Sequence, residues 1–416
     1  MEIGQGVEKD NEGAVKTGSG SNTLMVLSIL LLVLFSPLAI DVYLPAFPEM
    51  AEAFSVDKVI IQDTMTWFMF SLGVGQIIAG PLADRYGRRP IALFGIVLYV
   101  LCSFGIAQTH NLDTLLVLRL LQGLGACACS VAGFATVRVY FGAHKSAQII
   151  SYINALICFG TASAPILGSW ITQTYGWQAN FSFMFLFGIN AGLIIYFGFS
   201  QSKSPAQLTD ATSQTNKPLF HLSQYFDIIK NPVFSYHVIL CMLSMSVLLA
   251  YVSSAPTWLM MELGLSKNQF TTWFAANAVI NIIACFYTPK LIKKVGSRQT
   301  LTLGVYGLML SASLMLLLST FHDTWAFMLP SFIASIGYGF ILSTAAARAL
   351  APFTHNAGTA AALLGLFQMS GSGLIVILLL RLGLDTPILV ALIMFLTLPF
   401  VFILNSKFSK HWYKPA

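Results

Sequence analysis

Charge is what this sequence has least of. Asp, Glu, Lys and Arg make up 9% of its 416 residues, against about 25% in an ordinary soluble domain. With 56% hydrophobic residues and a mean hydropathy of +0.76, too little polar surface remains to cover a water-soluble particle, so the solvent is a lipid bilayer. The formal net charge of +6 does not indicate nucleic acid, because the basic residues are spread thinly between apolar runs. Metal and disulfide chemistry are missing too. Cys102, Cys127, Cys129, Cys158, Cys241 and Cys285 all fall inside apolar runs, none in CxxC spacing and none beside a histidine cluster. They read as small apolar filler, and neither a metal nor a cofactor is expected. No HExxH, GxSxG or Walker sequence occurs, which argues against an enzyme and against ATP-driven pumping. A cleavable leader is not expected either, since the first apolar run is too long and lacks a small-residue cleavage site.

Apolar runs are what fills the chain. They cover 23–45, 64–83, 90–109, 113–137, 147–170, 179–200, 232–256, 268–289, 300–320, 325–347, 357–380 and 386–405, each long enough to span about 30 Å of hydrocarbon as a helix. Tyr175, Gly176 and Trp177 break the long stretch between spans five and six, a pairing suited to a membrane surface. The polar segment between spans six and seven reads as a linker. The expected division is a disordered tail (1–22), a six-helix bundle (23–200), a cytoplasmic linker (201–231), a second six-helix bundle (232–405) and a short tail (406–416). With the N-terminus inside, Lys58, Lys267 and Arg381 alone among the 22 basic residues fall outside, and Arg119 lies within a span. That asymmetry predicts an all-α integral membrane protein of twelve helices with both termini cytoplasmic.

The exception to sparse charge is the turn after span two. Between Gly80 and Pro90 it carries Asp84, Arg85, Arg88 and Arg89, with Gly87 free to adopt turn angles. A second basic turn with a glycine, Pro289 to Arg298, follows span eight, so the halves echo each other. The three arginines would anchor topology by themselves. Asp84 and Gly80 call for another role.

Gly80, Asp84, Arg85, Gly87, Arg88 and Arg89 stand at the spacing of the loop 2–3 signature of the major facilitator superfamily, which this stretch resembles. Leu118 to Gly125 resembles the span-four motif through Arg119, Gln122 and Gly123. Gly160 to Ser169 resembles the span-five antiporter motif through Gly160, Pro165 and Gly168, with Ala164 and Ser169 replacing usual glycines. Asp41 to Met50 resembles the span-one motif of drug:proton antiporters of the Bcr/CflA type. The resemblance implies the major facilitator fold, alternating access, multidrug efflux and a multi-pass place in a bacterial inner membrane. It also implies that the Asp84 cluster latches the two halves. Gly160, Ala164 and Gly168 are four apart, a smooth stripe that lets helices approach closely; it is expected to pack span five against the second half.

Asp41 and Arg119 are the two ionisable residues expected well inside spans, where such groups are costly and usually functional. Counted from the span ends at 1.5 Å per residue, Asp41 lies roughly 27 Å from the inner surface and Arg119 roughly 9 Å from the outer one, so the two are expected to pair and to couple protons. Tyr43, Trp67, Phe68, Gln122 and Asn154 from the first half, with Met242, Met245, Trp273, Asn277 and Gln368 from the second, are candidates for an adaptable substrate pocket. The expected function is proton-driven export of small, mostly apolar compounds such as antimicrobial drugs, with export of an endogenous metabolite such as a siderophore as the alternative. Expected partners are the small-molecule substrate, protons and the lipid bilayer, with no nucleic acid, for a monomer.

Overall fold

The computed structural model describes residues 19–140, 142–198, 222–353, 357–406 and 412–413, and among these there is no strand. The main helices of the first part are α1 (Ser19–Asp41), a short α2 (Phe47–Phe54), α3 (Lys58–Tyr86), α4 (Arg88–Gln108), α5 (Leu112–Tyr140), α6 (Gly142–Tyr175) and α7 (Gln178–Gly198). After α8 (Leu222–Lys230) come α9 (Pro232–Pro256), α10 (Lys267–Val295), α11 (Ser297–Leu318) and α12 (Thr324–Leu350). The series ends with α13 (Ala357–Leu366), α14 (Ser372–Leu380), α15 (Thr386–Phe395) and α16 (Leu398–Asn405). A π-helical turn, Thr257–Glu262, closes α9, and another, Phe367–Gly371, joins α13 to α14. Among the described residues, 11 helical segments are long and apolar enough to cross a membrane. The 34-residue α6 lies where span five is expected.

Local chemistry sets the helix ends. Asp57 accepts a hydrogen bond from the Val59 backbone to start α3, Asn231 accepts from Val233 and Phe234 to start α9, and Ser266 forms a capping box with Gln269 at α10. The echo read from the sequence is repeated in the backbone. Helices α3 and α10 are both 29 residues long, contain Pro81 and Pro289, and stop at Gly87 (φ 95°, ψ 156°) and Gly296 (φ 87°, ψ 159°). Positive φ at both turns is tolerated because glycine has no Cβ.

Helices α1 and α3–α7 pack on one another, as do α9–α12 with α15. The closest approaches use glycine at matching places: a Cβ on Gly95 of α4 would lie 2.7 Å from the Gly125 carbonyl of α5, and one on Gly337 of α12 would lie 2.9 Å from the Gly304 carbonyl of α11. The two groups meet where α6 crosses α10 and where α3 runs along α13 and α14.

The segment expected as a linker is partly helical. Residues 222–230 form α8 because Tyr225 and Ile228, three apart, share a face that packs inward, with Ile228 buried. Residues 201–221 of that segment, 199–200 before it, 1–18 of the expected tail, and 407–411 and 414–416 at the other end lie outside the described residues.

Candidate functional site

Arg119 is fully buried and its guanidinium is already satisfied. Nε donates to the Thr64 carbonyl (3.3 Å), one terminal nitrogen to Gln122 Oε1 (2.7 Å) and the other to the Ala39 carbonyl (3.1 Å). The rings of Tyr43, Phe68 and Phe181 surround it at 4.3, 4.7 and 5.8 Å, and Gln122 is held in turn by Ser103 (2.8 Å). One side chain thereby ties α1, α3, α5 and α7 together.

This corrects the expected pairing. Among the described residues no ion pair joins Asp41 to Arg119. Ala39 lies in the last turn of α1, where carbonyls lack helical partners and carry the negative end of the dipole. That carbonyl accepts the bond a carboxylate would otherwise take. Asp41, the last residue of α1, is 3% exposed, and Thr161 on α6 lies near its carboxyl.

Thr161 also borders a cavity of about 190 Å³ between α6 and the helices α9, α10 and α12. Tyr251, Phe274, Asn277, Asn281 and Tyr338 form much of the opposite wall. Ser335 organises that wall: its hydroxyl donates to Asn277 Oδ1 (2.7 Å) and bonds the Tyr338 hydroxyl (3.0 Å), while its carbonyl accepts from Asn281 (3.2 Å). Of the substrate candidates, Asn277 is on this wall. Tyr43, Phe68 and Gln122 are instead packed around Arg119, Trp67 lies against Phe70, and Met242 lies against Gly371. Trp273 stacks edge-on with Trp325, Met245 is buried in the core, and Gln368 lies in the second π turn. The side chain of Asn154 lies outside the described residues. Sequence reasoning passed over Thr161, a small hydroxyl next to Gly160 with nothing in its spacing to single it out.

The stripe on α6 faces span one rather than the second half. A Cβ on Gly168 would overlap the Val42 carbonyl oxygen and lie 2.6 Å from its carbon, and one on Gly160 would meet Leu34 at 3.4 Å and Pro37 at 4.0 Å. Val42 follows the end of α1, and only a residue without a side chain admits that backbone. Pro165 lies between these glycines, within α6. A different face of α6 meets α10.

At the end of the molecule holding the Gly80–Pro90 turn, the motif end, Gly80, Asp84 and Arg88 line a cavity of about 460 Å³ together with Gln76, Ser130 and Gly358. Asp84 is exposed and, among the described residues, makes no ion pair within 4 Å, although Arg88 is near enough for its charge to act on it. Arg89 donates to the Tyr196 carbonyl (2.7 Å) and lies over its ring, and Arg85 lies over Tyr86.

The opposite end, the paired end, is different. Lys58 pairs with Glu262, Lys267 with Glu49 (3.4 Å) and Arg381 with Asp63. Each pair joins a residue before the 199–221 segment to one after it. Gln62 donates to Thr257 (2.6 Å) and Gln173 to Asn268 (3.1 Å) across the same line. Sequence reasoning missed these pairs, yet their signal was present: Lys58, Lys267 and Arg381 are the three basic residues that break the charge asymmetry.

Comparison with known proteins agrees with this architecture. A solved structure of a bacterial homolog of the human lysosomal transporter Spinster, in an inward-facing and unoccupied conformation, superposes with a TM-score of 0.70 at 14% identity, covering 95% of this chain and 97% of that one. The multidrug resistance protein MdtL of Klebsiella pneumoniae (strain 342) is 31% identical over 352 residues, 85% of this chain and 87% of its own. A chloramphenicol resistance protein of Pseudomonas aeruginosa is 31% identical over 367 residues, covering 86% and 84%. Residues 29–376 match the family profile described as Major Facilitator Superfamily. With its membrane-crossing helices and the repeated turns at Gly87 and Gly296, the chain therefore belongs to the major facilitator superfamily, as a multi-pass secondary transporter of small molecules and not an enzyme.

Proposed function

We propose that the protein exports small, mostly apolar compounds, antimicrobial drugs among them, in exchange for protons by alternating access. In this reading twelve spans form two six-helix halves, 23–200 and 232–405, in a bacterial inner membrane, with the motif end and both termini cytoplasmic. Closure of the paired end by three ion pairs and a cavity at the motif end fit an inward-facing state. The relatives named for multidrug and chloramphenicol resistance support export of drugs. The caged guanidinium of Arg119 offers no free cation to a strongly anionic metabolite, which favours a drug over a siderophore. The Gly80–Arg89 cluster acts as a latch that forms when the motif end closes and Asp84 gains its partners.

The observation that carries the proposal is Asp41: a buried carboxyl without a cationic partner among the described residues, near Thr161, which borders a cavity between the halves. A carboxyl so placed exchanges its proton as its contact with water changes through the cycle. Arg119 holds the surrounding helices and does not neutralise it. The test is pH-gradient-driven export in everted vesicles. Asp41→Asn should abolish it with normal membrane abundance. Arg119→Ala should also abolish it, and Arg119→Lys should recover only part, because an ammonium cannot reach three acceptors in one plane. Concentration of substrate against its gradient by Asp41→Asn would remove Asp41 as the coupling site.

A further inference from the structure

Two openings flank Trp412 at the motif end of the second half, where α9 begins and α12 and α16 end. One is a groove of about 670 Å³ lined by Tyr236, Ile239, Phe400, Phe402 and Ile403, with Phe402 72% exposed. The other is a recess of about 340 Å³ whose lining includes Asn231, Val233, Arg348 and Pro352. Arg348 is the one charged residue in the two described linings. Trp412 borders both openings and is seated by ring contacts with Tyr236 (5.4 Å) and His237 (6.1 Å). Its neighbour Tyr413 is fastened to a buried histidine. The Val233 carbonyl accepts from Nδ1 of His237 (2.6 Å), which leaves Nε2 to accept from the Tyr413 hydroxyl (2.7 Å). Arg348 lies over the Tyr413 ring (5.3 Å), and its one side-chain hydrogen bond among the described residues goes to Ser297 (3.1 Å). It makes no ion pair there within 4 Å. The turn motif does not account for this cation. In both halves the arginine two residues past the turn glycine closes the last helix, Arg89 on the Tyr196 carbonyl and Arg298 on the Leu404 carbonyl (2.8 Å). Arg348 is neither of these, and its side chain does not cap its own helix.

We infer that the two openings are one site for an anionic phospholipid, with the phosphate at Arg348, an acyl chain in the groove and Trp412 between them at the level of the esters. The parts stand in the order an amphiphile requires. A guanidinium matches a phosphate through paired N–H donors, and an indole suits the boundary between polar and apolar layers. The headgroup is anionic overall, because the described linings offer no carboxylate to receive the ammonium of a zwitterionic lipid. The surrounding sequence points the same way: residues 406–416 include Lys407, Lys410 and Lys414 and no acid. Basic segments beside the cytoplasmic end of a span attract anionic lipid. A soluble anion would fill the recess alone, whereas the groove on the other side of Trp412 selects a ligand with an apolar chain. Occupancy does not depend on what the protein exports, so the exporter reading neither supports nor limits it.

The test takes the full chain from nanodiscs of mixed phosphatidylethanolamine and phosphatidylglycerol into mild detergent and reads the lipid it keeps by native mass spectrometry. The wild type should keep phosphatidylglycerol in preference to phosphatidylethanolamine. Arg348→Gln should weaken the hold on phosphatidylglycerol about tenfold, the scale of a hydrogen bond to a charged group, with phosphatidylethanolamine unchanged. Arg348→Lys should recover part of it, because it keeps the charge without the planar fork. Ile239→Trp fills the groove, leaves every charge in place and should lower retention as well. Phosphatidylglycerol brominated in its acyl chains should quench a share of the tryptophan fluorescence that Trp412→Phe lacks. Equal retention of the two lipids, or an unchanged preference in Arg348→Gln and Ile239→Trp, overturns the site. Quenching that is the same with and without Trp412 overturns it too. So does displacement of phosphatidylglycerol by millimolar inorganic phosphate, which makes the recess a site for a soluble anion. If Arg348→Gln does not fold, Ile239→Trp and the quenching difference decide.

Discussion

The paired end and the middle of this molecule hold the two halves together by different means. At the paired end the contacts are ionic and polar: three ion pairs, with Gln62 to Thr257 and Gln173 to Asn268 alongside. Near the midpoint of α3 the halves meet by close packing of α3 against the π turn between α13 and α14. Ser370 donates to the Phe70 carbonyl at 2.5 Å, and a Cβ on Gly73 would lie 2.5 Å from the Ser370 nitrogen. No ion pair crosses there among the described residues. Exposed ion pairs are individually weak and exchange readily with water. Small-residue seams are rigid and depend on shape. The difference describes a device that lets go at the paired end while turning about a packed seam.

The strongest break of that comparison is to weld the paired end. Lys58→Cys with Glu262→Cys, joined by a short bis-reactive thiol linker, should abolish export and regain it when the linker is cleaved. Export by the welded protein would mean that the two ends do not alternate. Next in size is Gly73→Ala. Its methyl overlaps the Ser370 hydroxyl and backbone, and overpacking of this kind typically costs about 1–3 kcal/mol. Thermal unfolding in detergent should fall, and accessibility labelling should shift away from the state seen here; an unaltered protein would show that the seam is loose. A smaller effect is expected from Arg381→Ala. It leaves the buried Asp63 unpaired, and after allowance for screening of the exposed guanidinium the loss is about 1 kcal/mol, about fivefold in the ratio of the two states. The swap Asp63→Arg with Arg381→Asp should recover much of it. Moving from about 0.1 M to 1 M salt should shift the wild type in the same direction by less, because exposed pairs are screened. A shift of the ratio in the opposite direction would mean that the pairs do not hold this state.

The membrane class, the helix positions and the paired turns at Gly87 and Gly296 were legible in the sequence, because apolar length and turn glycines act locally. Arg119 was also legible as a buried charge, but its partner was not. The choice between the Asp41 carboxylate and the Ala39 carbonyl depends on how α1 ends, which spacing does not encode. The direction of the Gly160–Gly168 stripe failed for a related reason: small residues announce a close contact without naming the helix that makes it. The cations Lys58, Lys267 and Arg381 stood out in the sequence, but their partners Glu262, Glu49 and Asp63 did not, because each acid sits far along the chain from its cation. The cavity wall is built from Thr161, Tyr251 and Asn277, residue types that are common in any membrane core.

The two π turns, Thr257–Glu262 and Phe367–Gly371, both lie after the 199–221 segment, and among the described residues the helices before it have none. A π turn is a helix with one surplus residue, a length of slack already taken up in the coil. If that slack passes one position along, the residue it crosses turns by roughly 100° about the helix axis while the helix on either side keeps its place. Gln368, Met369 and Ser370 sit within the slack, against α3. Movement of that slack would re-aim these side chains against α3 one residue at a time, leaving the helices on either side where they are.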